Sequence, residues 1–481
     1  MALSLPGTRP GRPTATAPAT APDGGRPRLA RACADLPPSV AVALTAMRLE
    51  ALLGDPDDPA NPYGWPALHA RRTPPPPPAG ALATTGPADP HAPHGADQDA
   101  RLLRPLFRRD LALGHAWAAT RPAPPGAGLP APAAVLGPAG LLATTGTVLR
   151  LAVRAVDHLA PHGPATAQWQ PVLAAAFADL LACETLTALA LRAATAHGPA
   201  ASRAPDPAPR TGTGAGGGGA LADAVGYLVP LLAGEVLEDL QLVLGEIRPP
   251  TAGTEERVLA KVTADRAAAG AGPAAAACQA RLAGSLTHLT DPAQHTAQPG
   301  TLFHLHDPAP VTRPAPADAH GAVAAALPAA AHSHHHRDGG HGGDRDGGGG
   351  TDPVTAALTR TARRLAAEQR LLHQACTTPS TPHPAGPAGP GDPAARALAD
   401  RHALLLTAAA VLGVREAAAG ARLRFVGAPH WALLALGRIT ERLGTPLPGP
   451  LPAVHPVLWN ELLTRTRRGV DCDVYATKVL W

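Results

Sequence analysis

Only two isoleucines, Ile247 and Ile439, occur in 481 residues, and aromatic residues make up 3% of the chain. Strands are built mainly from β-branched and aromatic side chains. Leucine, alanine and valine are left to form an interior, and the first two are strong helix formers. The expected fold class is therefore all-α, with an up-and-down helical bundle at its core.

Proline (58) and glycine (50) supply about 22% of the residues, and they fall in clusters. Clustered Pro and Gly break a folded body with long disordered inserts, because such segments cannot bury enough apolar surface to offset their ordering entropy. Residues 1–27 read as a disordered Pro/Ala/Thr tail, and 28–120 as an N-terminal helical region with a Pro-rich loop opened by Pro74 to Pro78. Residues 121–140 read as a Pro/Ala/Gly linker, 141–291 as a helical bundle, 292–352 as a disordered His/Gly-rich linker, and 353–481 as a helical tail region.

Within these bounds the apolar spacing predicts helices over 28–53, 100–119, 172–194, 221–245, 254–268 and 274–289. Four more are predicted over 353–376, 394–420, 429–444 and 455–468. In the second pair of this set, Val172, Leu173, Ala176, Phe177, Leu180 and Leu181 form one stripe, and Val225, Leu228, Val229, Leu232, Val236, Leu240 and Val243 form the other. Pro230 interrupts the latter and is expected to kink it or end its first segment. The motif GDPDDPANPYGW, residues 54–65, forces a turn.

The net charge is +4 from 41 basic and 37 acidic residues. The densest basic spots, Arg101–Arg109 and Arg465–Arg468, lack the interleaved aromatics of a nucleic-acid site and read as solvated surface. The five cysteines are widely spaced with no CxxC pair, which suits reduced thiols in a cytoplasmic protein. No apolar leader opens the sequence, and the longest apolar run, Ala403 to Val414, is too short to span a bilayer. Neither a nucleic acid nor a membrane is expected as a partner.

Two stretches carry a family resemblance. The first, Leu49 to Thr120, contains LEALLGDPDDPANPYGW and RLLRPLFRRDLALGHAW; the second, Leu141 to Leu289, contains LLATTGTVLRLAVRAVDHL, VLAAAFADLLACETLTALALRA, GYLVPLLAGEVLEDLQLVLGE and AAAACQARL. Together they resemble the acyl-CoA dehydrogenase family, in a divergent form. That family has an N-terminal helical domain, a middle β-domain and a C-terminal helical domain. Here the linker 121–140 stands where a β-domain of on the order of 100 residues would be. The resemblance implies FAD as cofactor, an acyl-CoA or acyl-carrier substrate, and homo-oligomers formed through C-terminal helices. Its flavin-contact signature falls on HLAPHG, where His162 and Gly163 are the implied cofactor-binding residues and Leu159 replaces the family's Arg.

A dehydrogenase of this kind needs a carboxylate to remove the α-proton. The candidates are Glu184, Glu235, Glu238, Asp239, Glu246 and Asp265; Glu184 stands out because it follows the apolar stripe of its helix, but no catalytic residue is assigned, and Asp265 with Arg266 reads as a structural pair. His332, His334, His335, His336 and His341 could take a soft divalent ion, but their Gly-rich setting offers no fixed geometry and no metal site is expected. Two functions follow. One is a flavin-dependent acyl-CoA oxidoreductase; the alternative is a non-catalytic helical scaffold or oligomerisation protein derived from that family.

Overall fold

The computed structural model describes residues 38–71, 73–76, 96–119, 133–159, 164–195, 217–247, 253–294, 301–306, 316–333, 352–378, 392–445, 447 and 453–481. Among them the chain is all-α. Its helices are α1 (Pro38–Leu53), α2 (Trp65–Ala70), α3 (Ala96–Arg109), α4 (Leu111–Ala119), α5 (Ala133–Leu159), α6 (Gln170–Thr195) and α7 (Gly217–Glu246). They continue with α8 (Thr254–Asp265), α9 (Pro273–Leu289), α10 (Pro316–Ser333), α11 (Pro353–Thr377), α12 (Pro393–Gly420), α13 (Pro429–Arg442) and α14 (His455–Arg467). No strand forms among the described residues; the one β-pairing is an isolated antiparallel bridge between Val470 and Lys478.

Helix α6 sits at the centre and packs against α3, α5, α7, α12, α13 and α14. Its sequence is apolar all round, the pattern of a helix enclosed by others. Phe177 is fully buried and Leu228 of α7 nearly so, as their stripes predict. Two charged side chains of α6 have partners across the bundle: Asp179 receives Arg438 and Arg442 from α13, and Arg192 donates to the Thr301 carbonyl at 3.0 Å. Helix α7 runs unbroken through Pro230, where the sequence suggested a kink or an end. Burial against α5, α6 and α9 offsets the roughly 3 kcal/mol that an interior proline costs.

The boundaries follow local chemistry. Asp352 and Asp392 cap α11 and α12, their carboxylates accepting from Val354 and Thr355 and from Ala394, and Pro353 and Pro393 occupy the first helical position. The turn after α1 is tied by Asn61, whose amide donates to the Leu53 and Asp55 carbonyls at 2.7 Å each. The single helix expected over 100–119 is two: Asp110 interrupts it and accepts from Leu113 N at 2.8 Å, capping α4.

Two stretches read as linkers contain ordered elements. Helix α5 begins at Ala133, inside 121–140, and its Gly140 meets Gly114 of α4 across one ring. A Cβ at Gly114 would lie 2.2 Å, and one at Gly140 2.5 Å, from Phe107 Cδ1, so both glycines are there to admit the phenyl ring. Within 292–352, Leu302, Phe303 and Leu305 are buried and α10 packs against α7, α11 and α12. Its Ala319, Ala322, Val323, Leu327 and Ala331 are buried at helical spacing. An Ala-rich run has high helix propensity; its Pro/Ala composition concealed that. Residues 1–27, 121–132, 295–300, 307–315 and 334–351 lie outside the described residues.

Four helices, Val135–Leu159, Ala167–Ala194, Gly219–Glu246 and Pro393–Gly420, are long and apolar enough to cross a bilayer, beyond what the longest apolar run suggested. Between 72% and 89% of their apolar windows is buried inside the fold.

Candidate functional site

Arg104 and Arg108 lie one turn apart on α3, so they share a face. That face points inward, beside the buried Leu103, Leu106 and Phe107. Asp471, on the segment after α14, inserts between the two arginines and is wholly buried. Its Oδ2 accepts from Arg104 Nε at 2.7 Å and from Arg108 Nη1 at 3.0 Å, and its Oδ1 from Cys472 N at 2.7 Å. Burial alone would raise this carboxyl, but the Arg104 and Arg108 charges, supported by Arg150, hold it well below the usual range.

The network extends outward from this pair. Arg108 also bonds Glu50 of α1, and the other oxygen of Glu50 accepts from Trp481 Nε1 at 2.5 Å. The Trp481 ring lies edge-on to Trp65 at 5.2 Å and beneath the guanidiniums of Arg150 and Arg154. Arg465 of α14 donates to the carbonyls of Asp471 and Asp473, and its plane lies over Phe425 and Phe177 at 4.7 and 5.4 Å. Asp473 folds the segment on itself by accepting from Thr477 N and Oγ1, and Val479 N donates back to the Gly469 carbonyl. Gly469 leaves the helix at φ +60°, a left-handed turn where a side chain would be strained and a Cβ would lie 2.8 Å from Val479 O.

Glu184 enters the network from α6 and lies 2.8 Å from Arg104 Nη2. Burial pushes its carboxyl up to about 7; Arg104 pulls it down, and Asp473 and Asp471 push it up again. The folded-state value therefore exceeds the ordinary 4.5. Stability from such a group is fully present below pH 4.5 and is lost as pH rises through about 7. Over that window the stability of wild type relative to Glu184→Gln should fall by on the order of 3 kcal/mol, at 1.36 kcal/mol per pKa unit. Parallel urea titrations across the window check this; curves that stay parallel would show Glu184 to be ionised throughout.

The other candidate carboxylates do not converge. Glu235 pairs with Arg442 at 2.7 Å, Asp265 with Lys261 at 2.5 Å, and Glu238 stands 3.9 Å from Arg266. Asp239 is half-buried on α7 and its carboxyl is raised by burial, while Glu246 is exposed. Asp265 thus pairs with a lysine rather than with Arg266. His162 and Gly163 lie outside the described residues, as do His334, His335, His336 and His341; His332 is exposed at the end of α10. Among the described residues no group of three His, Cys, Asp or Glu could hold a metal.

The basic spots are corrected by the structure. Arg104, Arg108, Arg109 and Arg465 are buried rather than solvated, and only Arg467 and Arg468 of the second spot are exposed. The carboxylates that make this burial affordable lie up to 367 residues away, beyond any local pattern. The readable signal was the one-turn spacing of Arg104 and Arg108 beside Leu103, Leu106 and Phe107.

Among the described residues, neither of two depressions joins a cofactor-sized volume to a cationic lining. A cavity among His69, Arg108, Arg109, Asp110, Lys261 and Asp265 is about 10 Å³, room for one water, whereas cofactor pockets run to about 300–1,000 Å³. An open depression on α7, lined by Glu238, Gln241, Leu242, Gly245 and Glu246, is large enough at about 480 Å³ but presents two carboxylates that would repel a pyrophosphate. The buried arginines facing Asp471 are already neutralised by the chain itself. No protein-family model, curated protein or solved structure matches the chain.

Proposed function

We propose that this chain is a non-catalytic helical scaffold of the lineage that its sequence resembles, acting in the cytoplasm through self-association. The observation that carries this reading is the insertion of Asp471 between Arg104 and Arg108. A charged interior that an enzyme would keep open to an anionic cofactor is here closed by the chain's own segment. Burial of the four long apolar helices within the fold supports a water-soluble protein.

A second reading, a flavin-dependent acyl-CoA oxidoreductase, draws on Glu184. A buried carboxyl titrating near neutrality is the kind of group that serves as a general base. Its contact with Arg104, and its absence from both depressions, favour a structural part.

Flavin loading separates the two. The purified chain is mixed with excess FAD and desalted, and absorbance is read at the flavin bands. The scaffold reading expects no retained flavin. Stoichiometric flavin that an acyl-CoA then bleaches would establish the oxidoreductase instead.

A further inference from the structure

Helix α11 contains a single acidic residue, Glu368, and it is buried against Arg364 and Arg401. Its outer face is a stripe of arginines: Arg360, Arg363, Arg364 and Arg370 are exposed, beside Leu371 at 54% exposure. The spacing 360, 363, 364, 370 and 371 keeps them on one side of the helix over about 16 Å, at 1.5 Å per residue. Arg364 reaches Glu368 at 3.2 Å and Arg363 leans on the Ala331 carbonyl at 3.5 Å. Arg360 and Arg370 make no ion pair with the described residues.

Helix α7 has the opposite character. It contains no Lys, Arg or His. Its outer face shows Leu231 at 46% and Leu242 at 64% exposure, with Glu238 and Glu246 between and beyond them. Leu231 and Leu242 are separated by the same eleven residues as Arg360 and Leu371, again about 16 Å. The open depression beside Leu242 lies on this face, and Gly245 leaves its floor without a side chain.

We infer that the arginine face of α11 docks on the acidic, leucine-bearing face of α7 in a second copy of this chain. The inference extends the scaffold reading by giving the scaffold its partner. Charge complementarity selects this occupant: two stripes of equal length and opposite sign, each with exposed leucine at its edge, stand on one molecule. A nucleic acid would want aromatic side chains among the arginines, and the stripe has none. An anionic bilayer would want an apolar face alongside, whereas Leu358, Leu365 and Leu372 of α11 are turned into the fold. The two patches differ, so the contact is heterologous and either closes into a small ring or runs on as an open chain.

Sedimentation of the full-length chain at ~0.02 M and ~0.5 M salt tests this, since exposed charges are screened over the shorter Debye length at higher salt. Concentration-dependent assembly is expected at low salt and should weaken at high salt. The pair Arg363→Glu with Arg370→Glu, and separately Glu238→Lys with Glu246→Lys, should each weaken self-association by about tenfold or more. Mixing the two charge-reversed proteins should restore it, because each now complements the other. Leu242→Ser should weaken it without any change of charge. All these side chains are exposed, so unfolding midpoints should match wild type. A protein that stays monomeric at low salt, or assembly indifferent to both reversals, would overturn the proposal. So would retention of the monomer by duplex DNA or phosphatidylserine vesicles through the α11 arginines. Flavin loading is read on separate samples, so the scaffold reading stands or falls by itself.

Discussion

Asp471→Ala lowers the unfolding free energy by about 3–5 kcal/mol, the cost of leaving a buried charge without its partner. The change strips Arg104 and Arg108, both buried, of the oxygen that they share. Arg104 keeps Glu184 and Asp473, and Arg108 keeps Glu50, whose other oxygen is engaged by Trp481. Asp471→Asn preserves shape and one acceptor while removing the charge, so its loss should be smaller. Urea midpoints for the three proteins decide the matter. A loss under about 1 kcal/mol for the alanine variant would place the network in solvent, among ordinary surface ion pairs.

Phe177→Ala is expected to cost about 3–5 kcal/mol, by lost transfer energy plus the cavity left behind. The ring is fully buried on the central helix and stacks on Phe425 at 5.8 Å. It also backs the guanidinium of Arg465, which holds the carbonyls of Asp471 and Asp473. Removing it should therefore loosen the terminal segment as well as the bundle. Hydrogen exchange at Cys472 N and Val479 N measures that second effect. Unchanged protection there, with a lowered midpoint, would confine the damage to the apolar core.

Phe177 was legible because a helix buried on all sides repeats its apolar residues at every turn. The same rule located α6, α7 and the helices from α11 to α14 within a few residues. It failed at α10 and the start of α5, where alanine, proline and glycine share one composition with linkers. There, Gly140 serves packing against Phe107 rather than flexibility, and only the tertiary contact reveals which. The ionic network was harder. Arg104 and Arg108 look like a solvated run because the eye assigns arginine to water. Glu184 stood out as a carboxylate following an apolar stripe, yet its partner could not be read from its own helix. The short DCD motif near Asp471 carried no recognisable signature, since its meaning lies in what it reaches.

The sequence distance across that network has a consequence for how the protein is made. Arg108 and the Asp471 carboxylate that it shares with Arg104 are 363 residues apart, and Glu50 waits 431 residues for the indole of Trp481. At about 5–20 residues per second, the ribosome delivers Asp471 roughly 20–70 s after Arg108. Throughout that interval Glu50 and then Glu184 are the only carboxylates of the network on hand for the arginines of α3, and the oxygen that Arg104 and Arg108 share is missing. The N-terminal helices therefore pack on the ribosome without the carboxylate that joins Arg104 to Arg108. Completion of the interior waits on Asp471, and a chain cut short before it would leave the two arginines without the acceptor that joins them.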